Sequence, residues 1–255
     1  MLTLRQEQVE KFQQHHLQVF EDDMVEHLTK TQAEHWKIMG ESDGRRVIRL
    51  GIDQAKQYGF ISRGPVRFYI DLMFLFGSYF DTDPQHAWAS TALANPEGFY
   101  EAAIADRLFE AMNDYYARVV DPERDSLRTA TQGLLQKRIE DVLKPGVNPE
   151  ELILETLHSV CPLRSEYSGD ALLRRMIRNS FDLAGKYELA TDKGRVLFAT
   201  LTFAVGHGFY KDPLNGWLVR RLENKRWPDP NRRVDDLASK SLLYLKHILA
   251  GESEG

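Results

Sequence analysis

The sequence contains a single cysteine, Cys161, among its 255 residues. One thiol cannot form an intramolecular disulfide, so the chain is not a disulfide-stapled secreted scaffold. Long apolar runs are also missing, because the longest, residues 68–76, is interrupted by Asp71 and is far shorter than the roughly 20 residues that cross a bilayer. The first eight residues lack the apolar core of a signal peptide. These absences predict a cytoplasmic protein without a membrane span.

An excess of positive charge is missing as well. Lysine and arginine number 33 against 38 aspartates and glutamates, which gives a formal net charge of −5. A chain with this balance is not drawn to phosphate backbones, so nucleic acid is not expected as a partner. No stretch shows the sustained apolar–polar alternation of a strand. With 42% hydrophobic residues, the composition predicts a globular protein of the all-α class.

Helix starts are marked by prolines that follow an aspartate or asparagine. The Asp or Asn side chain accepts hydrogen bonds from the first turn of a helix, and proline fits the next position because no N–H is needed there. The sequence predicts five such starts: Asp83-Pro84, Asn95-Pro96, Asp121-Pro122, Asn148-Pro149 and Asp212-Pro213. Two capping boxes predict further starts, at Thr3 with Gln6 and at Thr31 with Glu34.

Apolar periodicity between these signals predicts at least eight helices. The first runs from about Thr3 to Leu28, with a buried stripe of Val9, Phe12, His16, Phe20, Met24 and Leu28. A second ends at Gly40, and a third runs from about 44 to 58. The fourth carries the apolar run 68–76 and is predicted to be the central buried helix of its unit. Others are expected at about 84–94, 96–120, 122–143 and 149–160.

The sequence also predicts an internal duplication. A shift of 129 positions aligns two stretches without a gap. The aligned pairs include Arg45 with Arg174, Asp53 with Asp182, Tyr58 with Tyr187, Gly77 with Gly206, Phe80 with Phe209, Asp83 with Asp212 and Trp88 with Trp217. We therefore expect two diverged, tandemly repeated helical units that pack together, at 1–120 and 121–250, followed by a disordered tail at 251–255.

Residues shared by both copies are best explained by the fold. Gly77 and Gly206 are expected to end the central helices with positive φ, while Asp83 and Asp212 cap the helices that follow. Residues found in one copy only are better functional candidates. These are Asp81, His86, His207 and Lys211.

No motif of high catalytic specificity occurs. The glycines on either side of His207 follow a predicted helix rather than a strand, so they do not indicate a dinucleotide site. Cys161 has His158 three residues upstream, which could activate a thiol, but a buried small residue is the commoner arrangement. Metal ligation by His15-His16, Glu21-Asp22-Asp23 or Asp81 with Asp83 is likewise less favoured than structural roles. We expect no metal and no cofactor.

Aromatic residues near predicted helix ends are candidates for partner binding. Tyr115-Tyr116 and Trp227, which follows Arg226, combine the residue types that anchor protein interfaces. Ordinary core packing explains them equally well, and the sequence leaves both alternatives open.

Residues 58–61, 66–84 and 88–89, with the opening 2–8 and the stretch 20–25, resemble a group of poorly characterised proteobacterial proteins encoded beside type VI secretion genes. The resemblance covers about 1–93, with a diverged echo in 174–222. The chain departs from the pattern at Ala87, where a proline is expected. The resemblance implies an accessory role in secretion and carries no known chemistry.

Three functions remain open. The first is a non-enzymatic adaptor or chaperone that binds a secreted effector or spike component. The second is an immunity-type inhibitor of a partner toxin. The third is an enzyme with a site in the cleft between the two units, where Asp81, His86 and His207 are the first candidates.

Overall fold

The computed structural model describes residues 6–95, 98–119, 148–224 and 226–251. These ranges hold eleven α-helices, two 3₁₀ turns and no strand, which confirms the all-α class. No helix in them is long and apolar enough to span a membrane. The helices are α1 (Gln6–Thr31), α2 (Ala33–Gln57), α3 (Arg63–Phe76), α4 (Ala87–Leu93), α5 (Glu101–Val119), α6 (Pro149–Val160), α7 (Pro162–Ser168), α8 (Asp170–Lys186), α9 (Asp192–Val205), α10 (Gly216–Glu223) and α11 (Pro230–Gly251). The first 3₁₀ turn, Pro84–His86, precedes α4, and the second, Pro213–Asn215, precedes α10.

Three of the predicted proline-marked starts are confirmed. Asp83 accepts a hydrogen bond from the backbone N–H of Gln85, and Asp212 accepts one from Leu214. Asn148 does the same at the start of α6. After Asp83 and Asp212 the first turn is 3₁₀ rather than α, and the α-helix begins four residues after the aspartate.

Two predicted starts are wrong. Asn95 accepts from the backbone N–H of Phe99 and donates to its carbonyl, so it closes a loop, and α5 begins only at Glu101. Thr31 ends α1 instead of capping α2, because its hydroxyl donates to the carbonyl of His27 within the same helix. The local signal is present at both positions, but another local hydrogen bond takes its place.

Some predictions lie outside the described residues. These are the capping box at Thr3, the start at Asp121-Pro122, the helix at 122–143, the boundary between units at 120 and the tail at 252–255.

The buried stripe of α1 is shorter than predicted. Met24 and Leu28 are buried, but Phe12 is 56% exposed and His16 is exposed. Residues 14–19 are all exposed, so no described element covers this part of the helix. The apolar periodicity continues beyond the length over which α1 has a packing partner.

Helix α3 is the centre of the first core, as predicted. Tyr69, Ile70, Leu72 and Met73 are fully buried, and residues from α1, α2, α4 and α5 pack around them. Leu214 of the second 3₁₀ turn belongs to this core, although it follows α3 by more than a hundred residues. The two halves of the chain are therefore packed against each other.

In each half a glutamate is held by two arginines. Glu21 accepts hydrogen bonds from Arg45 and Arg49, and it is 3% exposed. Burial opposes its ionisation, but the two guanidinium groups outweigh burial and lower its pKa. The second half repeats this arrangement, with Glu150 accepting from Arg174 and Arg178.

Candidate functional site

Two turns, one from each half of the chain, contact each other. We call residues 77–83 the first junction turn and residues 206–212 the second junction turn. Gly77 and Gly206, at their starts, have φ of 91° and 105°. A Cβ built on Gly77 would lie 2.9 Å from the carbonyl oxygen of Val205, and one built on Gly206 would lie 3.3 Å from that of Phe76. Positive φ and this close approach both require glycine.

Each turn is tied to the other by a buried carboxylate. Oδ2 of Asp83 accepts from the backbone N–H of His207 at 2.8 Å. Reciprocally, Asp212 accepts from the backbone N–H of Ser78 at 2.9 Å and from its hydroxyl at 2.6 Å. The two aspartates are 3% and 1% exposed. They cap their own turns, as the sequence predicts, and they also join the two turns, which the sequence does not predict.

The two carboxylates have opposite pKa shifts. Burial raises the pKa of Asp212, although hydrogen bonds from Ser78 and Leu214 oppose the rise. Burial also acts to raise the pKa of Asp83, but hydrogen bonding and charge attraction from His207 outweigh it and lower the pKa to about 2. Asp83 is therefore ionised at neutral pH and cannot serve as a general acid there.

The three residues expected in the cleft lie in different surroundings. Asp81 is 5% exposed and accepts from the hydroxyl of Tyr58 at 2.7 Å. His86 is 2% exposed, and its ring packs edge-on against Phe76 with centroids 5.0 Å apart. Burial lowers the pKa of His86 to about 4, so its imidazole is neutral at neutral pH. His207 lines a pocket.

We call the cavity beside His207 the junction pocket. It has a volume of about 230 Å³ and lies between α8 and the first 3₁₀ turn. It is lined by Pro84, Leu172, Arg175, Met176, Asn179, Ser180, Leu183, Lys186, Thr202, His207 and Tyr210. Nδ1 of His207 lies 3.3 Å from Oδ2 of Asp83, and Nε2 lies 3.5 Å from the hydroxyl of Thr82. Lys211 does not line the pocket, since its ammonium group stacks on the ring of Tyr79 at 4.2 Å.

A second cavity contains Arg226 and Trp227, and we call it the Trp227 groove. It has a volume of about 580 Å³ and lies between α10, the segment after it and α11. The guanidinium of Arg226 lies 5.1 Å from the centroid of the Trp227 ring, within cation–π range. The lining residues are Leu189, Trp217, Arg220, Arg221, Asn224, Arg226, Trp227, Arg233, Asp236, Leu237 and Lys240.

The tyrosine pair lies elsewhere. Tyr115 is 3% exposed and stacks on Trp88 with ring centroids 5.6 Å apart. It therefore contributes to the core, which is one of the two alternatives that the sequence leaves open. Tyr116 is half-buried, with its ring centroid 5.6 Å from that of Phe76.

The thiol candidate has the surroundings of a structural residue. Cys161 is buried, and burial raises its pKa to about 11, which disfavours the nucleophilic thiolate. His158 pairs with Asp170 at 2.8 Å. Among the described residues, no group of three or more His, Cys, Asp or Glu side chains could hold a metal ion.

Comparison of the chain with protein-family models, with curated proteins and with solved structures found no match in any of the three.

Proposed function

We propose that the protein is a non-enzymatic, cytoplasmic adaptor or chaperone that binds a protein of the type VI secretion machinery, either an effector or a spike component. The secretion system is taken from the resemblance described above. The Trp227 groove is the observation that supports protein binding. It combines an accessible tryptophan with several arginines, the residue types that contribute most to binding energy at protein interfaces.

The charge of the groove indicates which charge the partner's binding segment should carry. Three of its four arginines are already paired: Arg221 with Asp236, Arg220 with Asp43 and Arg233 with Glu188. Arg226 and Lys240 are exposed and form no ion pair within the described part of the chain. Arg232 adds a third exposed cation, 5.7 Å from the Trp227 ring.

This surplus of positive charge occurs in a chain whose formal net charge is −5. It therefore favours an acidic segment of the partner over other surfaces. The half-buried ring of Trp227 would pack against an apolar side chain of that segment, with Arg226 pairing a neighbouring carboxylate.

The single changes Trp227→Ala and Arg226→Glu are each expected to weaken partner binding at least tenfold. Truncation of an interface tryptophan removes roughly 2 kcal/mol or more, and charge reversal repels an acidic segment. The measurement is a pull-down of the tagged protein from its native host read by mass spectrometry, followed by titration of the recovered secretion protein against each variant.

Matched controls come from surfaces away from the groove. Tyr100→Ala removes an aromatic side chain that is 74% exposed, and Lys37→Ala removes an exposed cation. Both variants should bind like the original protein. Recovery of no effector or spike protein, or equal binding by Trp227→Ala, refutes the proposal. Recovery of a single toxin favours the immunity-type inhibitor instead.

We also infer that the two halves are diverged copies of one unit. Support comes from features that recur at a separation of 129 residues. The glutamate–arginine cluster of Glu21 recurs at Glu150. Backbone positions with positive φ recur in the same way, at Gly40 and Gly169, at Gly59 and Glu188, and at Gly77 and Gly206. Shared geometry of this kind favours duplication over chance similarity of two helical segments.

A further inference from the structure

In each half of the chain, a helix faces the 3₁₀ turn of the other half. The junction pocket forms at one of these two places because their side chains differ. On one side α2 lies against the second 3₁₀ turn, and Asp43 accepts a hydrogen bond from Arg220 at 2.9 Å. Gly216 leaves room for this contact, since a Cβ there would lie 2.6 Å from the Asp43 carboxylate. The Asp43 carboxylate therefore occupies the space that a side chain at position 216 would need.

The other side has neither of these features. The residues that stand 129 positions from Gly216 and Asp43 are Ala87 and Leu172. Ala87 carries the Cβ that Gly216 lacks, and Leu172 has no carboxylate that could pair with a residue of the turn. The space between α8 and the first 3₁₀ turn is left open as the junction pocket, and Leu172 forms part of its wall.

Positive charge lines this pocket, and the described lining residues supply no counter-ion. Arg175 and Lys186 are exposed residues of α8, and neither forms an ion pair in the described ranges. The neighbouring arginines, Arg174 and Arg178, are both bound by glutamates of α6. No carboxylate occurs among those lining residues that the structure describes. Arg175 and Lys186 are eleven residues apart, close to three helical turns, so they share one face of α8 at opposite ends of the pocket, roughly 16 Å apart along the helix axis.

The imidazole of His207 is held in place at the edge of the pocket. Its backbone N–H donates to Oδ2 of Asp83, and its ring Nδ1 lies 3.3 Å from the same oxygen. The Asp83 carboxylate thus accepts hydrogen bonds from His207 and from the backbone N–H of Gln85. Asp83 is only 3% exposed. An anion in the pocket would meet the two α8 cations and the His207 ring before it met this carboxylate.

We propose that the junction pocket binds a small organic anion, with a phosphate or carboxylate group and a compact apolar body. Arg175 would bind the anionic group, and the amide of its i+4 neighbour Asn179 would add a hydrogen bond. Lys186, roughly 16 Å further along α8, would attract the anion without contacting the same group. The apolar body would lie against Leu172, Met176 and Leu183. This binding is independent of the proposed protein partner, because the Trp227 groove shares none of the lining residues.

The test is calorimetric titration of the full chain with three probes. Phenyl phosphate and benzoate carry the anionic group on an aromatic ring, and phenol carries the ring without the charge. Binding of one molecule of either anion, with no binding of phenol, is expected. Comparison of the two anions shows whether the site prefers phosphate or carboxylate. Binding of neither anion, or equal binding of phenol, overturns the proposal.

Variants locate the site. Arg175→Met and Lys186→Met keep the apolar stem and remove the charge. Arg175→Met is expected to raise the dissociation constant about tenfold, and Lys186→Met, which removes a more distant charge, should raise it less. Lys37→Met removes an exposed cation of α2 and should have no effect. Asn179→Phe fills the pocket from an exposed position of α8, so it should abolish binding while the circular dichroism spectrum stays helical. If Lys37→Met weakens binding as much as Arg175→Met, the anion is attracted by exposed cations of the surface in general, and the proposed site is refuted.

Discussion

Replacement of Gly77 by alanine is expected to lower the free energy of unfolding by about 3 kcal/mol. A non-glycine residue at a φ of 91° with ψ of 152° is strained by roughly 1–3 kcal/mol. The new Cβ would also lie 2.9 Å from the carbonyl oxygen of Val205. That oxygen is a backbone atom at the end of α9, so it can move only if the two junction turns separate. Urea denaturation followed by circular dichroism measures the loss.

The matched control is Gly185→Ala. Gly185 lies in α8, and a Cβ built there meets nothing within 4 Å. Alanine should therefore stabilise the helix, by roughly 0.5–1 kcal/mol. Gly206→Ala should destabilise less than Gly77→Ala, because its closest contact is 3.3 Å. If Gly77→Ala and Gly185→Ala have the same stability, the close contact between the junction turns does not exist in solution.

Local signals in the sequence predict local structure well. Asp83 and Asp212 could be recognised as caps because the hydrogen bond of a cap spans only two residues. The same signal fails at Asn95, where a competing bond to Phe99 is just as local. The apolar stripe of α1 fails for another reason, since Phe12 fits the helical period but has no covering element in the described structure.

The candidate site is harder to predict, because its parts come from distant segments. His207 could be selected because the other copy has Ser78 at the matching position, but its pocket is completed by α8. Arg175 has the sequence signature of a solvated face, and only the structure separates it from its paired neighbours Arg174 and Arg178. Alignment of the two halves at a shift of 129 positions places Leu172 opposite Asp43. This difference predicts a pocket only once it is known which helix faces which turn, and the sequence alone does not give that packing.

The second large expected effect is a loss of folding stability at acidic pH, caused by the buried residue His86. The folded-state pKa of His86 is about 4, below its ordinary value of 6.5, because burial disfavours the charged ring more than Asp83 favours it. A group with a depressed pKa contributes stability that is present above 6.5 and is lost as the pH falls through 4. Linkage gives a loss of about 2 kcal/mol between pH 7.5 and pH 5 from this residue alone.

The variant His86→Phe should remove this loss. Phenylalanine keeps an aromatic ring among Phe76, Trp88 and Tyr115, and it has no proton to gain. Between pH 7.5 and pH 5 its free energy of unfolding should fall by about 2 kcal/mol less than that of the original chain. The measurement is urea denaturation at both pH values, with the exposed residue His15, changed to Gln, as the control that keeps the full loss.

The buried aspartates of the two junction turns, Asp83 and Asp212, do not alter the expected difference in stability loss between His86→Phe and the original chain. The pKa of Asp83 is lowered to about 2, so the stability it contributes is lost only as the pH falls below its ordinary value of 3.8, outside the measured window. The raised pKa of Asp212 acts in the opposite direction, since the folded state takes up a proton more readily and gains stability on acidification. Asp212 is unchanged in His86→Phe, so its contribution cancels in the difference. An equal loss in the variant and the original chain would show that His86 is not buried as a neutral ring, and that the first core is open to water at the junction.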